Sequence, residues 1–298
     1  MKLITRNLKY IAAASVAVAI GISASNAIGQ TAVAAGSSKA EYKEKDKDKG
    51  FCNNNNWSDN DRVSVNELRE STVASSGSLN VNAGKNGGIS VKGEDRSDVQ
   101  VRACVQSWAK SGEEAKASLS TIRINTGGEI TADGPADGNW SVSFQILVPR
   151  QTNVNLTAHN GGISISGTDG NADFTTMNGG VNVTNVSGNV KGRTTNGGVN
   201  VSLSGASWKG SGLDLETTNG GVNLTVPSNF AAHVETGTVN GGFKSDIPAL
   251  NVTTEDVKGE SSHGNRSKRI VTNLNGGGAP VRIITTNGGI KINNGDKE

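Results

Sequence analysis

The sequence has 298 residues, of which 40 are glycine, 34% are hydrophobic and only 4% are aromatic, and its net charge is +2. So few large apolar side chains exclude a thick hydrophobic core, and the balanced charge gives no basic face of the kind that nucleic-acid-binding proteins carry. Valine and isoleucine still recur at fixed positions, which favours a thin core of small β-branched residues stacked many times.

The N-terminus has the pattern of a secretory signal. Three basic residues within the first nine precede an apolar stretch from Tyr10 to Ile22, and small residues follow at Ser25-Asn26-Ala27. We predict a signal peptide over 1–27 that is cleaved after Ala27, and hence a periplasmic, cell-surface or extracellular protein. The alternative is an uncleaved membrane anchor, but the apolar stretch is shorter than the roughly 20 residues that span a bilayer.

Residues 28–50 are predicted to form a flexible linker, because their small residues run into alternating lysines and acidic residues with no apolar face. Residues 51–150 form an N-terminal β-rich section in which alternating strand patterns surround one short helix at about 111–120. Ser111 lies three residues before Glu114, which is the spacing of a helix capping box. Residues 151–293 form the repeat described below.

Two cysteines are present, Cys52 and Cys104. Export would place them in an oxidising compartment, where a pair of this kind forms a disulfide. The alternative is two free thiols. No Cys-x-x-Cys motif is present, so the pair gives no sign of a metal or redox site.

The tripeptide Asn-Gly-Gly occurs repeatedly, usually as part of Thr-Thr-x-Asn-Gly-Gly-Val-x-Val. From the second copy onward the spacings are 18, 18, 23, 21, 35 and 12 residues, and the last two add up to about two ordinary periods. Because Asn and Gly accept positive φ at low cost, each copy is predicted to be a corner of the chain. These structural turns are at Asn86, Asn160, Asn178, Asn196, Asn219, Asn240, Asn275 and Asn287.

The residues that follow each corner predict how the copies stack. The first and third residues after Asn-Gly-Gly are aliphatic and would point the same way, as in Val181 and Val183. If the copies stack about 4.8 Å apart, these side chains form columns that fill a narrow interior with no room for bulky groups. The threonines and asparagines at the corner would form ladders of their own, with side-chain hydrogen bonds between copies.

Two all-β folds fit this pattern. In a right-handed parallel β-solenoid, each repeat makes one full turn and identical positions stack. In an antiparallel meander, Asn-Gly forms a hairpin turn. We predict the solenoid, because a meander gives no reason for the same side chain to recur only at every second turn.

Several segments resemble one known family: Glu216 to Leu224, Glu235 to Gly242, Leu274 to Val281 and Val148 to Arg150. The sequence is similar over about residues 60–293 to the bacterial putative-adhesin family of unknown function, whose members are described as toastrack-like. The resemblance implies secreted or envelope-anchored β-solenoid repeat proteins, some of them parts of envelope-stress systems. The family defines no catalytic or binding residues.

The sequence gives no pattern of a catalytic or metal site. His159, His233 and His263 lack metal-ligand spacing, and Asp169, Asp173, Asp214 and Glu216 are scattered rather than aligned on successive repeats. Asp59 and Asp61 could hold calcium, but the glycine and distal glutamate of a calcium loop are missing. Of the four tryptophans, Trp57, Trp108, Trp140 and Trp208, two are predicted to pack against the short helix, Trp108 and Trp140; an exposed tryptophan on a coil would instead indicate a carbohydrate platform.

We therefore predict a non-enzymatic, envelope-associated binding or adhesion module that has no cofactor. The sequence does not identify the partner, for which a cell-surface glycan and an envelope protein are the two candidates. The first alternative is a structural or signalling component of an envelope-stress system, and the second is a polysaccharide-active enzyme.

Overall fold

A computed structural model describes residues 50–52, 61–250 and 268–296. These residues form two ten-stranded sheets, one α-helix and one short 3₁₀ helix. In chain order the elements are β1 (Val63–Ala74), β2 (Ser78–Asn82), β3 (Ile89–Glu94), β4 (Asp98–Ala109), α1 (Gly112–Thr121), β5 (Arg123–Asn125), β6 (Glu129–Asp133), β7 (Trp140–Pro149), β8 (Asn153–Ala158), β9 (Ile163–Ser166), β10 (Ala172–Asn178), β11 (Val181–Thr184), β12 (Asn189–Asn196), β13 (Val199–Ser202), β14 (Gly212–Asn219), β15 (Val222–Val226), β16 (Ala232–Asn240), β17 (Phe243–Ser245), the 3₁₀ helix (Pro248–Leu250), β18 (Lys268–Leu274), β19 (Pro280–Asn287) and β20 (Ile290–Asn294).

Each repeat forms one coil that contributes a strand to each sheet. Sheet A consists, in spatial order, of β1, β4, β7, β3, β9, β11, β13, β15, β20 and β17, and sheet B consists of the other ten strands. In the coil that turns at Asn178, β10 belongs to sheet B, Asn-Gly-Gly makes the corner, and β11 belongs to sheet A. Neighbouring coils pair in parallel with equivalent residues side by side, as Val181 does with Val199. The all-β parallel solenoid is confirmed and the antiparallel meander is wrong for the repeat, while the handedness of the winding stays a prediction.

Antiparallel pairing is confined to the two ends of the stack. Sheet A begins with β1, β4 and β7, which pair antiparallel, and sheet B ends with antiparallel β5 and β6 at one edge and β16 and β18 at the other. Strands from both sides of residue 150 share both sheets, since β3 pairs with β9 in one sheet and β2 pairs with β8 in the other.

Aliphatic columns fill the space between the sheets. In sheet A the first residue after five successive corners is buried, and these residues lie in register as Ile163, Val181, Val199, Val222 and Ile290. Burying one such side chain stabilises the fold by about 1.5–3 kcal/mol, so each additional coil stabilises the stack further.

The interior holds larger groups than the sequence suggested. Phe144, Phe174 and Phe230 are all fully buried. Phe174 fits because its neighbour on the next coil is Gly192, where an added Cβ would lie only 2.0 Å from the Phe174 ring. The expectation of a core without bulky groups is therefore wrong at these positions.

The order of the coils in space differs from their order in the chain. Across sheet A the coil strands run β7, β3, β9, β11, β13, β15, β20 and β17, and sheet B has the matching order. The coil of β2 and β3 therefore lies between two coils that follow it in the sequence. Likewise, the last coil, β19 and β20, is inserted between the two coils that precede it.

Helix α1 closes one end of the core, and the predicted short helix is confirmed. The Ser111 side chain accepts a hydrogen bond from the Glu114 amide at 3.2 Å, which caps the first turn. Ala115 and Leu119 are buried, and the Arg69 guanidinium donates to the carbonyl oxygens of Leu119 and Ile122 at 3.0 and 2.6 Å. These bonds satisfy carbonyl groups at the helix C-terminus.

Several predicted features lie outside the described residues. They include the signal peptide with its cleavage position at Ala27, the linker up to residue 49, Trp57, Asp59 and His263. In the part of the chain that the structure describes, no helix is both long and apolar enough to cross a membrane.

Candidate functional site

The corner asparagines form one continuous hydrogen-bonded ladder along the stack. At each of its six steps an asparagine Nδ2 donates to the Oδ1 of the neighbouring corner, at distances from 2.7 to 3.1 Å. The ladder follows the order of the coils in space: Asn86, Asn160, Asn178, Asn196, Asn219, Asn287 and Asn240. Such a chain of amides fixes the register of every coil against the next.

The corner glycines serve a different purpose from the one that the sequence suggested. None of the Asn-Gly-Gly corners from Asn160 onward in this ladder has a residue with positive φ. The first glycine is required by close stacking, because a Cβ on Gly179 would lie 2.1 Å from the carbonyl oxygen of Gly161 on the next coil. The predicted use of positive φ is therefore wrong for these corners.

Asn275 is the exception among the predicted corners. It lies in the turn after β18, outside the ladder, and its Nδ2 donates to the carbonyl oxygens of Ser228 and Phe230, both at 2.9 Å. Here Asn275, Gly276 and Gly277 do have positive φ. Asn275 therefore lies in a turn but outside the stack of corners, because the Asn240 Nδ2 donates directly to the Asn287 Oδ1.

A row of buried threonines stabilises the same corners from within. Each hydroxyl donates to a glycine carbonyl on the adjacent coil at 2.7–2.8 Å, so no buried hydroxyl in this row lacks a partner. The row consists of Thr176, Thr194, Thr217, Thr285 and Thr238.

The outer face of sheet A is polar over its central coils. A second asparagine ladder joins Asn182, Asn200 and Asn223, with Nδ2 to Oδ1 distances of 3.0 and 2.9 Å. Beside it, short hydroxyl side chains alternate with these amides along the strands. In this region the outward residues are Ser164, Ser166, Asn182, Thr184, Asn200, Ser202, Asn223 and Thr225.

The outer face of sheet B carries charged residues that neutralise one another. Arg282 on the inserted coil donates to Asp214 and Glu216 on one neighbouring coil, at 2.5 and 2.6 Å, and its Nε lies 3.4 Å from Glu235 on the other. Arg193 also pairs with Glu216, at 2.6 Å. Partial burial lowers the pKa of Arg282, but its hydrogen bonds to Glu216 and Asp214 outweigh this effect, so the pKa is raised overall.

The expectation that these carboxylates are scattered is wrong for Asp214 and Glu216, which meet Glu235 around one arginine. The cluster belongs to the inserted coil, because Arg282 binds acidic residues on both sides of it. Each carboxylate already has a guanidinium partner, which is the pattern of a structural ion-pair network.

Two grooves lie on the outer face of sheet B, and a third lies at the turns that lead from sheet A back to sheet B. One of about 370 Å³ on sheet B is lined by asparagines that include Asn80 and Asn155, and another of about 430 Å³ is lined mainly by threonines. A third, of about 290 Å³, lies at the corner beside Trp208. That tryptophan is buried, and its Nε1 donates to the Gly188 carbonyl at 2.9 Å, so its ring is part of the packing.

The other residues that the sequence singled out lie apart from one another. His159 is exposed beside the Asn160 corner, and the His233 Nδ1 lies 2.8 Å from Asn273 Oδ1. Trp140 donates to the Pro135 carbonyl at 2.9 Å. In residues 50–52, 61–250 and 268–296 no group of three or more His, Cys, Asp or Glu could hold a metal ion.

Cys52 and Cys104 form a disulfide with an S–S distance of 2.01 Å. The bond attaches the segment before β1 to the middle of β4, on the outer face of sheet A. Next to it, the Phe51 ring lies 5.8 Å from the guanidinium of Arg102, within the range of a cation–π contact. Cys52 is thereby fixed to a strand that pairs on both sides.

Together these features define an all-β stack of coils whose two outer faces are the available surfaces. The chain belongs to the Toastrack family DUF4097, which matches residues 11–293. No curated protein matches the chain.

Two solved structures are similar to most of the chain. A putative cell adhesion protein from Clostridium sporogenes is 14% identical, with 76% of this chain and 100% of that one covered and a TM-score of 0.40. A putative adhesin from Bacteroides fragilis is 9% identical, with coverages of 77% and 97% and a TM-score of 0.30.

One pair of surface residues was missed in the sequence. Lys244 and Lys291 lie side by side on the outer face of sheet A, next to Asn223. The signal that could have found them is the repeat itself, because each residue lies four positions after a corner asparagine, where Asn182, Asn200 and Asn223 also lie.

Proposed function

We propose that the chain is a non-catalytic binding module that acts outside the cytoplasm and takes an extended polar ligand on the outer face of sheet A. The observation that carries this proposal is the regular array of amides and hydroxyls over the central coils, held in place by the Asn182–Asn200–Asn223 ladder. Because the ladder is part of the fold, the array is ordered before any ligand arrives, and binding need not order these side chains.

A carbohydrate chain is the kind of ligand that suits this face. Each ladder asparagine keeps one amide hydrogen and one acceptor position for a ligand, and such pairs match sugar hydroxyls. Over the central coils, β9, β11, β13 and β15, this face has no aromatic or large aliphatic side chain to serve as the anchor of a protein interface. The alternative role in an envelope-stress system stays a prediction that no described residue favours.

Blocking variants on the two faces test this proposal. Ser202→Tyr adds a ring to the outer face of sheet A, and Asn155→Tyr adds the same ring to the outer face of sheet B. We expect the full chain to bind members of a polysaccharide panel, measured by biolayer interferometry, and Ser202→Tyr alone to weaken that binding. Equal loss in both variants, or binding by neither the parent nor the variants, would refute the assignment to sheet A.

Export and processing form part of the same proposal. We infer that residues 1–27 direct export and are cleaved after Ala27, and that residues 28–50 tether the folded part. Mass spectrometry of the mature protein in cell fractions would test this. A mature N-terminus at Ile28 outside the cytoplasm is expected, whereas an intact Met1 in the cytoplasm would refute it.

A further inference from the structure

One column of outward side chains crosses the whole of sheet A. Strand register places these residues side by side on successive strands, about 4.8 Å apart. From one edge to the other the column reads Glu70, Arg102, Gln145, Ser90, Ser164, Asn182, Asn200, Asn223, Lys291 and Lys244.

The charge at the first end of this column is compensated within the protein. The Arg102 Nε lies 2.7 Å from Glu70, and a second nitrogen of its guanidinium donates to Gln145. The side chain is buried, and the Phe51 ring lies close to its guanidinium. The positive charge of Arg102 is therefore neutralised within the protein at this end of the column.

The charges at the other end are not compensated in the same way. Lys291 and Lys244 are exposed neighbours on adjacent strands, and like charges directly opposite each other destabilise a sheet. Among the described residues neither lysine has an ion-pair partner within 4.0 Å, and this includes Asp246, two residues after Lys244. On sheet B, by contrast, Arg193, Arg269 and Arg282 all pair with carboxylates.

Between these two ends lie the amides of the second asparagine ladder. From Asn182 to Lys244 the column covers five strands, or about 20 Å. A ligand that lies along it would meet neutral hydrogen-bonding groups first and two positive charges last. That sequence of groups fits a chain with many hydroxyls that also carries negative charge.

We propose that the ligand of this face is an acidic polysaccharide, whose hydroxyls contact the Asn182–Asn200–Asn223 ladder and whose anionic groups contact Lys291 and Lys244. This inference rests on the proposed function and adds the charge class of the ligand. Binding would relieve the repulsion between the two lysines, so the anionic groups would contribute to affinity in a salt-dependent way.

Matched polymers and matched lysines test the inference. The probes are polygalacturonate, the same polymer fully methyl-esterified, and poly-L-glutamate, each titrated into the full chain by isothermal calorimetry. The variants are Lys244→Ala with Lys291→Ala, and Lys191→Ala on the outer face of sheet B as the control. We expect polygalacturonate to bind, the double variant to weaken it about tenfold, and Lys191→Ala to leave it unchanged.

Four results would overturn the inference. Equal binding of the esterified and acidic polymers, with no effect of the lysine variants, would reject the charge class but leave the proposed function intact. Binding of neither polymer would reject the inference and the carbohydrate ligand together. Equal binding of poly-L-glutamate through the same lysines would show recognition of charge without sugar. Equal loss in Lys191→Ala would point to unspecific attraction.

A stability measurement distinguishes a variant that has lost contacts with the ligand from one that no longer folds. Because the lysines repel each other, Lys244→Glu is expected to raise the melting temperature slightly while it weakens binding of polygalacturonate. A variant that both unfolds earlier and binds less would contradict the assignment of these lysines to the ligand.

Discussion

Close stacking of the corner glycines gives the sharpest test of the fold. Gly179→Ala would place a Cβ 2.1 Å from the Gly161 carbonyl oxygen and 2.4 Å from its carbon. Real Cβ contacts lie beyond 3.0 Å, so the two coils must separate by about 1 Å at this corner. Both atoms at the clash belong to the backbone, and no side-chain rotation can remove it.

The loss of stability follows from the hydrogen bonds that this separation breaks. Three hydrogen bonds join the two coils at this corner. The Asn178 backbone N–H donates to the His159 carbonyl oxygen at 2.7 Å, and the Asn178 Nδ2 donates to the Asn160 Oδ1 at 2.8 Å. The Thr176 hydroxyl donates to the Gly161 carbonyl oxygen at 2.7 Å. At about 1 kcal/mol each, their loss lowers the free energy of unfolding by about 3 kcal/mol. For a fold of this size that is a fall of roughly 6–12 °C in melting temperature.

Gly180→Ala is the matched control one residue away. Its Cβ would meet only the Gly198 carbonyl oxygen, at an ordinary 3.5 Å, and its φ is not in the left-handed region. Alanine there also reduces the freedom of the unfolded chain, so the melting temperature should stay the same or rise slightly. Differential scanning calorimetry measures the melting temperatures of the two variants and of the parent. Equal melting of Gly179→Ala and Gly180→Ala would refute the stacking argument.

Three further predictions follow from the ladders, the ion pairs and the disulfide. Asn196→Ala removes two ladder hydrogen bonds and should lower the free energy of unfolding by about 1–2 kcal/mol in urea titrations; no change would mean that the ladder does not stabilise the stack. Arg282→Ala leaves three carboxylates close together and should lower the free energy of unfolding by about 1–3 kcal/mol, with a smaller effect at high salt. Arg193→Ala should lower it by less than about 1 kcal/mol, and equal effects of the two variants would contradict the role of the inserted coil. Replacing Cys52 and Cys104 by serine should lower the free energy of unfolding by up to about 4 kcal/mol. Identical melting temperatures of the parent and the variant would argue against any stabilising role of the disulfide.

The repeat could be recognised from the sequence because its chemistry is local. Val181 and Val183 alternate at the period of a strand, Asn178 marks the corner before them, and the same arrangement recurs at Asn196 and Asn219. Strand period and turn residues act over a few positions, so the sequence predicts them well. The polar outer face follows from the same alternation, which also places Lys244 and Lys291 in one column.

The backbone at the corners was less predictable, because the same three residues form two different structures. Asn178-Gly179-Gly180 stacks without positive φ, while Asn275-Gly276-Gly277 uses positive φ in an ordinary turn. What separates them is the presence of another coil against the first glycine, and this is a contact between distant parts of the chain.

The sequence by itself determined that this protein is a stack of β-coils with aliphatic columns inside and short polar side chains outside. Only the tertiary structure decided the order of the coils. Any Val or Ile rung packs acceptably on any other, so the repeat does not specify its neighbours. Long-range contacts make that choice: the Arg282 ion pairs join the last coil to Asp214 on one side and to Glu235 on the other.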